Sequence, residues 1–129
     1  YPTVSLADLF LGKMQIVKIN LKDIKDTVVL LREHGIGESD HETLNSKYIA
    51  KLLSKDWGFY YTVTTNLRET KERLLTLKAL NKNDASDVRA KIDKLLEIID
   101  SEPKSMGWKM RAKIGTKKKW YEEVEEVVR

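Results

Sequence analysis

Apolar positions along this chain recur mostly at helical spacing. In LADLFLGKMQIVKINLKDIKDTVVLL, residues 6–31, the set Leu6, Leu9, Phe10, Ile16 and Val17 follows a helical period and predicts a first amphipathic helix. Ser5, with Asp8 three residues on, is a capping-box-like start for it. Lys13 falls four after Leu9 and three after Phe10, inside that stripe. A buried ammonium is costly without a carboxylate, a phosphate or a route to water. The nearest carboxylates in sequence are Asp23 and Asp26, on a second predicted helix that starts at Asn20 and ends at Gly35. Leu21, Ile24, Val28 and Leu31 form the core stripe of that helix.

The run GIGESDHETL, residues 35–44, reads as a polar loop. A third helix is predicted from about Asn45 to Ser54, with Tyr48, Ile49, Leu52 and Leu53 inward. Asp56 opens a longer helix running to Leu80, and its β-branched and aromatic middle, Tyr61 to Thr65, admits a kink or a short strand. Asn81 to Asp84 reads as a turn, and Asp84 with Asp87 as the cap of a helix whose stripe is Val88, Ile92, Leu95, Leu96 and Ile99. Pro103 restarts the chain at a favoured first helical position. From Trp108 to Ile114, alternation with Lys109, Arg111 and Lys113 fits a strand, while Met106, Met110 and Ile114 fit a helix that Gly115 ends. Helix is preferred, because Pro103 opens one and β-branched residues are few. The expected fold is mainly α, a compact bundle of five or six helices in one helical domain over residues 1–129.

Composition narrows the function classes. With no cysteine among 129 residues, disulfides and thiolate metal sites are excluded. No apolar run approaches the roughly 20 residues of a membrane helix, and the expected location is cytoplasmic. A 34% charged share beside 41% hydrophobic suits exposed helices around a modest core. The net charge of +4 is mild, but its distribution is uneven: seven basic and no acidic residues lie between Lys104 and Lys119, followed at once by Glu122, Glu123, Glu125 and Glu126. Such a block is an anion-binding patch or a solvated face that pairs with the acidic segment after it. As a patch, Lys109, Arg111, Lys113, Lys117, Lys118 and Lys119, with Trp108 and Trp120 in the stretch 104–121, would make a weak RNA contact. His34, Asp40, His41 and Glu42 have no recognised ligand spacing, so no metal site is expected. Trp57, Tyr60 and Tyr61 read as core aromatics.

LFLGK, Leu9 to Lys13, and KDIKD, Lys22 to Asp26, resemble the nucleotidyltransferase-like proteins of the abortive-infection (AbiEii) type, in which a lysine-bearing helix precedes a basic–Asp–x–x–Asp helix start. IAKLLSKDWGFYYTVTTNL, EPKSMGWKMRAKIG and KWYEEV look like the C-terminal half of uncharacterised bacterial and archaeal proteins of the same superfamily. The resemblance implies that Lys13, Lys22, Asp23 and Asp26 wall a nucleotide pocket. It also implies that the complete protein uses an NTP and Mg2+ to transfer a nucleotidyl group to a hydroxyl. That chemistry needs a glycine–serine or glycine–glycine turn followed by a strand bearing Asp-x-Asp or Asp-x-Glu, to hold the divalent metals. Here Ser39–Asp40 and Ser86–Asp87 are the nearest text, in a predicted loop and near a helix start, so no catalytic residue is expected in this chain. The chain opens at Tyr1, which suggests a C-terminal fragment of a longer protein, inactive alone.

The residues alone allow blander roles. Lys13 can snorkel, its stem on the apolar face and its amine in water. Capping and the helix dipole account for Asp23 better than for Asp26, which lies beyond the first turn and is the sharper functional candidate. A non-enzymatic nucleic-acid- or protein-binding module using residues 104–121 is the alternative function.

Overall fold

The computed structural model describes residues 5–37, 43–77 and 81–117. Its helices are α1 (Leu6–Met14), α2 (Leu21–Glu33), α3 (Ser46–Leu53), α4 (Trp57–Arg73), α5 (Lys82–Ser101) and α6 (Met106–Ile114). Single 3-10 turns follow α4 and α6. The mainly helical bundle expected from the periodicity is the observed architecture, and no nucleotidyltransferase-type sheet occurs among the described residues.

Each helix begins on a side chain that accepts a hydrogen bond from the third helical amide. Ser5, Asn20, Asn45, Asp56, Asn81 and Ser105 receive the amides of Asp8, Asp23, Tyr48, Phe59, Asp84 and Trp108. Each cap satisfies one amide that the helix itself leaves unpaired. The cap of α5 is therefore Asn81, three residues earlier than expected, and α6 starts from Ser105 rather than at Pro103.

The core draws on α1 to α5. Phe10, Leu11 and Met14 meet Ile24, Val28 and Leu31 of α2, Ile49 and Leu53 of α3, and Val63 and Leu67 of α4. The stripe of α5, Val88, Ile92, Leu95 and Ile99, closes the cluster by packing on α2, α3 and α4. Leu96 is only partly buried at its edge.

The inward face of α1 is rotated from the expected one. Ala7, Phe10, Leu11 and Met14 are buried, whereas Leu9 is 49% exposed. The helix ends at Met14, so Ile16 and Val17 lie past it. Tyr48 is exposed rather than inward, and its hydroxyl donates to Asp8 at 2.9 Å. Within the stretch read as a loop, Gly35–Gly37 (β1) and Thr43–Asn45 (β2) pair in parallel, Ile36 opposite the fully buried Leu44. Helix α4 runs unbroken through Tyr61–Thr65, with Val63 in the core and the Thr64 hydroxyl donating to the Tyr60 carbonyl at 2.9 Å. That back-bond gives a threonine hydroxyl a partner without breaking the helix.

Three helix C-termini are closed by side chains. Asn66 of α4 donates to the carbonyls of Met14 and Ile16 at 2.7 and 2.6 Å, at the end of α1. Lys91 of α5 donates to the Leu31 carbonyl of α2 at 2.6 Å. Lys104, three residues past the end of α5, turns back on that helix, donating to Ile99 at 2.9 Å and Glu102 at 2.7 Å. No helix among the described residues is long and apolar enough to cross a membrane.

Candidate functional site

The last turn of α1 faces the first turns of α2, and this brings the four residues of the predicted nucleotide site together. The Lys13 ammonium lies 2.8 Å from Asp26 and 3.6 Å from Asp23, and Lys22 reaches the same Asp26 oxygen at 3.0 Å. Asp23 is buried at 8% exposure, while its amide is held by Asn20. The hydrogen bond to Asp26 raises Lys13 above the ordinary lysine value, outweighing the opposing desolvation. Asp26 is held below the ordinary carboxylate range by hydrogen bonds from Lys13 and then Lys22. The cluster is a closed charge balance: two ammonium groups against two carboxylates.

This cluster rims a shallow depression of about 210 Å³ lined by Leu9, Phe10, Lys13, Asp26, Thr27 and Leu30. Its walls are largely apolar, and Lys13, the cation among its described lining residues, is already held by carboxylates. A phosphate entering here would compete with Asp26 for Lys13. The carboxylates do not fit a divalent cation as they stand, since Asp23 and Asp26 both face the same ammonium. Among the described residues no group of three or more His, Cys, Asp or Glu side chains is placed to hold a metal. Asp40, His41 and Glu42 lie outside those residues.

The basic stretch divides by what each cation touches. Besides capping α5, Lys104 lies 5.7 Å from the centre of the Tyr60 ring and 5.4 Å from that of Trp108. Arg111 stacks 5.0 Å over Trp57 and donates to the Gly115 carbonyl at 2.7 Å. Tyr60 meets Trp108 edge-on at 5.1 Å, and Trp57 stacks on Tyr61 at 5.1 Å. The Tyr60 hydroxyl donates to Asp100 at 2.8 Å; burial, reinforced by that carboxylate, raises its pKa. Lys104 and Arg111 thus belong to the joint between α4 and α6. Lys109, Lys113 and Lys117 face solvent; Lys118, Lys119 and Trp120 lie outside the described residues.

Sequence reasoning did not anticipate the outer face of α6. None of its residues is buried, and Met106, Met110 and Ile114 are 71%, 62% and 44% exposed. At i, i+4 and i+8 they form one continuous apolar row beside Lys109 and Lys113. The available signal was a second periodic set on the same helix: Trp108, Arg111 and Ala112 are its partly buried face.

The chain matches no family model, no curated protein and no solved structure.

Proposed function

We propose that this protein is a non-enzymatic helical binding module, with the outer face of α6 as its contact surface and an acidic amphipathic protein helix as its ligand. The observation that carries this is the exposed row Met106, Met110 and Ile114 flanked by Lys109 and Lys113, on a helix whose other side is stacked against α4. Contiguous apolar surface rimmed by polar groups is what a helical partner buries. Methionine adds an adaptable, polarisable surface. A protein ligand is favoured over single-stranded nucleic acid, which binds by stacking bases on aromatic rings. Here Trp57, Tyr60, Tyr61 and Trp108 are engaged with one another and with cations. The exposed lysines alone offer phosphate contacts of the salt-sensitive, roughly micromolar or weaker kind.

The test is fluorescence anisotropy of a labelled acidic peptide carrying valine at i, i+4 and i+8. It is titrated with the full chain and with a chain ending at Lys117. Among the described residues the buried hydrophobic core ends at Ile99, so that truncation removes no described core residue. At least one chain should bind the peptide, Met110→Glu should abolish binding, and a labelled oligouridylate should bind only at low salt. Absence of peptide binding by both chains refutes the reading.

A second reading keeps the nucleotidyltransferase resemblance, with Lys13, Lys22, Asp23 and Asp26 as one wall of a nucleotide pocket completed by residues elsewhere in a longer protein. What favours it is that Lys13 meets both aspartates at the rim of a depression. In it the NTP and Mg2+ would be held mainly by carboxylates outside the described residues. Titration of the isotope-labelled chain with ATP and Mg2+ should then shift the Lys13 and Asp26 resonances, and Lys13→Met should erase the response. Unmoved resonances at millimolar ATP remove this reading.

A further inference from the structure

The arginines of the bundle differ in what they touch. Arg32 and Arg73 are ion-paired with Glu33 and Glu69, and Arg111 lies over Trp57. Arg68 of α4 and Arg89 of α5 are exposed, and neither is ion-paired to a carboxylate among the described residues. Both line one depression of about 500 Å³ between those helices, together with Lys71, Glu72 and Leu96. We propose that this groove is a binding site for a linear oligophosphate anion, held between the two guanidinium groups with Lys71 as a third cation. The site is separate from the outer face of α6 and does not depend on that reading.

The groove follows from how α4 and α5 pack. The helices run antiparallel: Tyr60 donates to Asp100 at one level, and Lys71 pairs with Asp93 further along. Val63 and Leu67 of α4 and Ile92 and Leu95 of α5 fill the core. Arg68 and Lys71, three residues apart, are neighbours on one face of α4. Arg89, Asp93 and Leu96 share one face of α5 at i, i+4 and i+7. Cations from both walls thus border the same space. Arg89 also lines an adjoining depression of about 250 Å³ with Leu74, Lys82, Ala85 and Ser86. Lys82 stands seven residues before Arg89 on α5, about 10 Å along the helix axis at its usual rise. The cationic line therefore extends along the seam, which suits a chain of phosphates better than a single one.

The carboxylates nearby leave that line positive. Asp93 is held by Lys71, and Asp100 by the Tyr60 hydroxyl, near which Arg68 also lies. Glu72 is the one acid among the described lining residues. Arg68, Lys71 and Arg89 therefore outnumber Glu72 and Asp93, and Lys82 adds a further cation next door. A guanidinium presents a planar fork that matches two oxygens of one phosphate, so arginines on opposite walls can each clasp a phosphate of the same chain. A small oligophosphate is favoured over single-stranded nucleic acid, which gains much of its affinity by stacking bases on aromatic rings. No aromatic side chain is among the described lining residues of either depression.

The test is an NMR titration of the isotope-labelled full chain with tripolyphosphate at low salt, following the arginine Nε–H resonances, with ATP as a second ligand. The Arg68 and Arg89 signals should move and saturate while that of Arg73 stays. ATP should act on the same two arginines, because the phosphates carry the recognition. Arg89→Gln should weaken binding about tenfold, the worth of one hydrogen-bonded contact between charged groups. Glu72→Gln should tighten it by removing a like charge from the groove. Arg73→Gln makes the same charge change at an exposed site outside the groove and should leave affinity within about twofold, as expected for surface charges beyond direct contact in water. All three side chains are exposed, so the variants keep the fold. No saturable shift at millimolar tripolyphosphate overturns the site. Equal weakening by Arg73→Gln and Arg89→Gln overturns it in favour of diffuse attraction to a positive surface. ATP binding without tripolyphosphate binding assigns the groove to a nucleoside, and an oligouridylate that binds more tightly through the same arginines assigns it to nucleic acid; either result overturns the proposal. Shifts at Lys13 and Asp26 on adding ATP report the nucleotide-pocket reading separately.

Discussion

Replacing Asn66 should loosen the link between α4 and α1. Its side-chain amide is 4% exposed and donates to two main-chain oxygens, Met14 at 2.7 Å and Ile16 at 2.6 Å. Both partners are carbonyls, so only the NH2 end of the amide can serve. In Asn66→Leu, similar in size but without donors, the buried Met14 carbonyl loses this partner. Leaving a buried acceptor unpaired costs about 1–3 kcal/mol. The Ile16 carbonyl is only part-buried and can turn to water, so its loss adds about 0.5–1.5 kcal/mol, the ordinary net worth of a hydrogen bond. The expected destabilisation is about 2–4 kcal/mol, read from urea unfolding followed by tryptophan fluorescence, with the midpoint moving and the slope unchanged. Asn66→Asp supplies a sharper test, because it keeps the shape and puts oxygens against oxygens. The charged carboxylate is disfavoured there, so its folded-state pKa rises above the unfolded value of about 3.9. The variant should therefore be most destabilised at neutral pH and should recover as pH falls through that raised pKa. Asn66→Leu unfolding within about 0.5 kcal/mol of the parent, the range of neutral surface changes, would refute the capping argument.

Lys13→Met and Asp26→Asn, combined in a double-mutant cycle, should show a modest coupling that shrinks as salt is added, because both side chains are part-exposed. The pair also sets two pH limbs. Asp26, held low in the folded state, stabilises above about pH 3.9 and loses that contribution as pH falls through its folded value. Lys13, held high, stabilises below about pH 10.4 and loses its contribution as pH rises through its folded value, and Asp26→Asn should flatten both limbs. Gly37→Ala would place a Cβ 2.8 Å from the Thr43 Oγ1 and 3.1 Å from its Cβ, and should cost about 1–3 kcal/mol in thermal or urea unfolding. Gly35→Ala, with nothing within 4 Å of the added carbon, should be far milder, and equal effects at the two glycines would refute the packing account.

How far the sequence was legible follows the range of each interaction. The helix starts were largely readable because a cap and its amide partner are three residues apart, as with Asn20 and Asp23. The α5 cap was misplaced because Asn81 and Asp84 both have capping side chains, and only geometry shows which of them accepts. Lys13 and Asp26 could be paired in advance because they lie thirteen residues apart on consecutive helices. The C-terminal closures were hidden: Asn66 and Met14 are 52 residues apart, and Lys91 and Leu31 are 60. The α1 stripe went astray for a related reason, since the helix ends at Met14, where a residue of α4 receives its carbonyl. β1 and β2, three residues each, are too short to show a period, and their partner choice is set by the fold around Leu44.

These long-range closures divide the molecule physically. α1 is held by Asn66 and α2 by Lys91, so polar ends as well as apolar faces tie the bundle together. Breaking one tie exposes unpaired carbonyls as well as apolar surface, which couples the fate of neighbouring helices. α6 stands apart from this network. It is held by rings and cations, Arg111 on Trp57 and Lys104 beside Tyr60 and Trp108, and buries no residue of its own. Substitutions on its outer face therefore have little core packing to lose. Met110→Glu should leave unfolding within about 0.5 kcal/mol of the parent in the chain ending at Lys117, while abolishing peptide binding there. A large loss of stability in that chain would show that Met110 packs against the bundle, and the contact-face reading would fall with it.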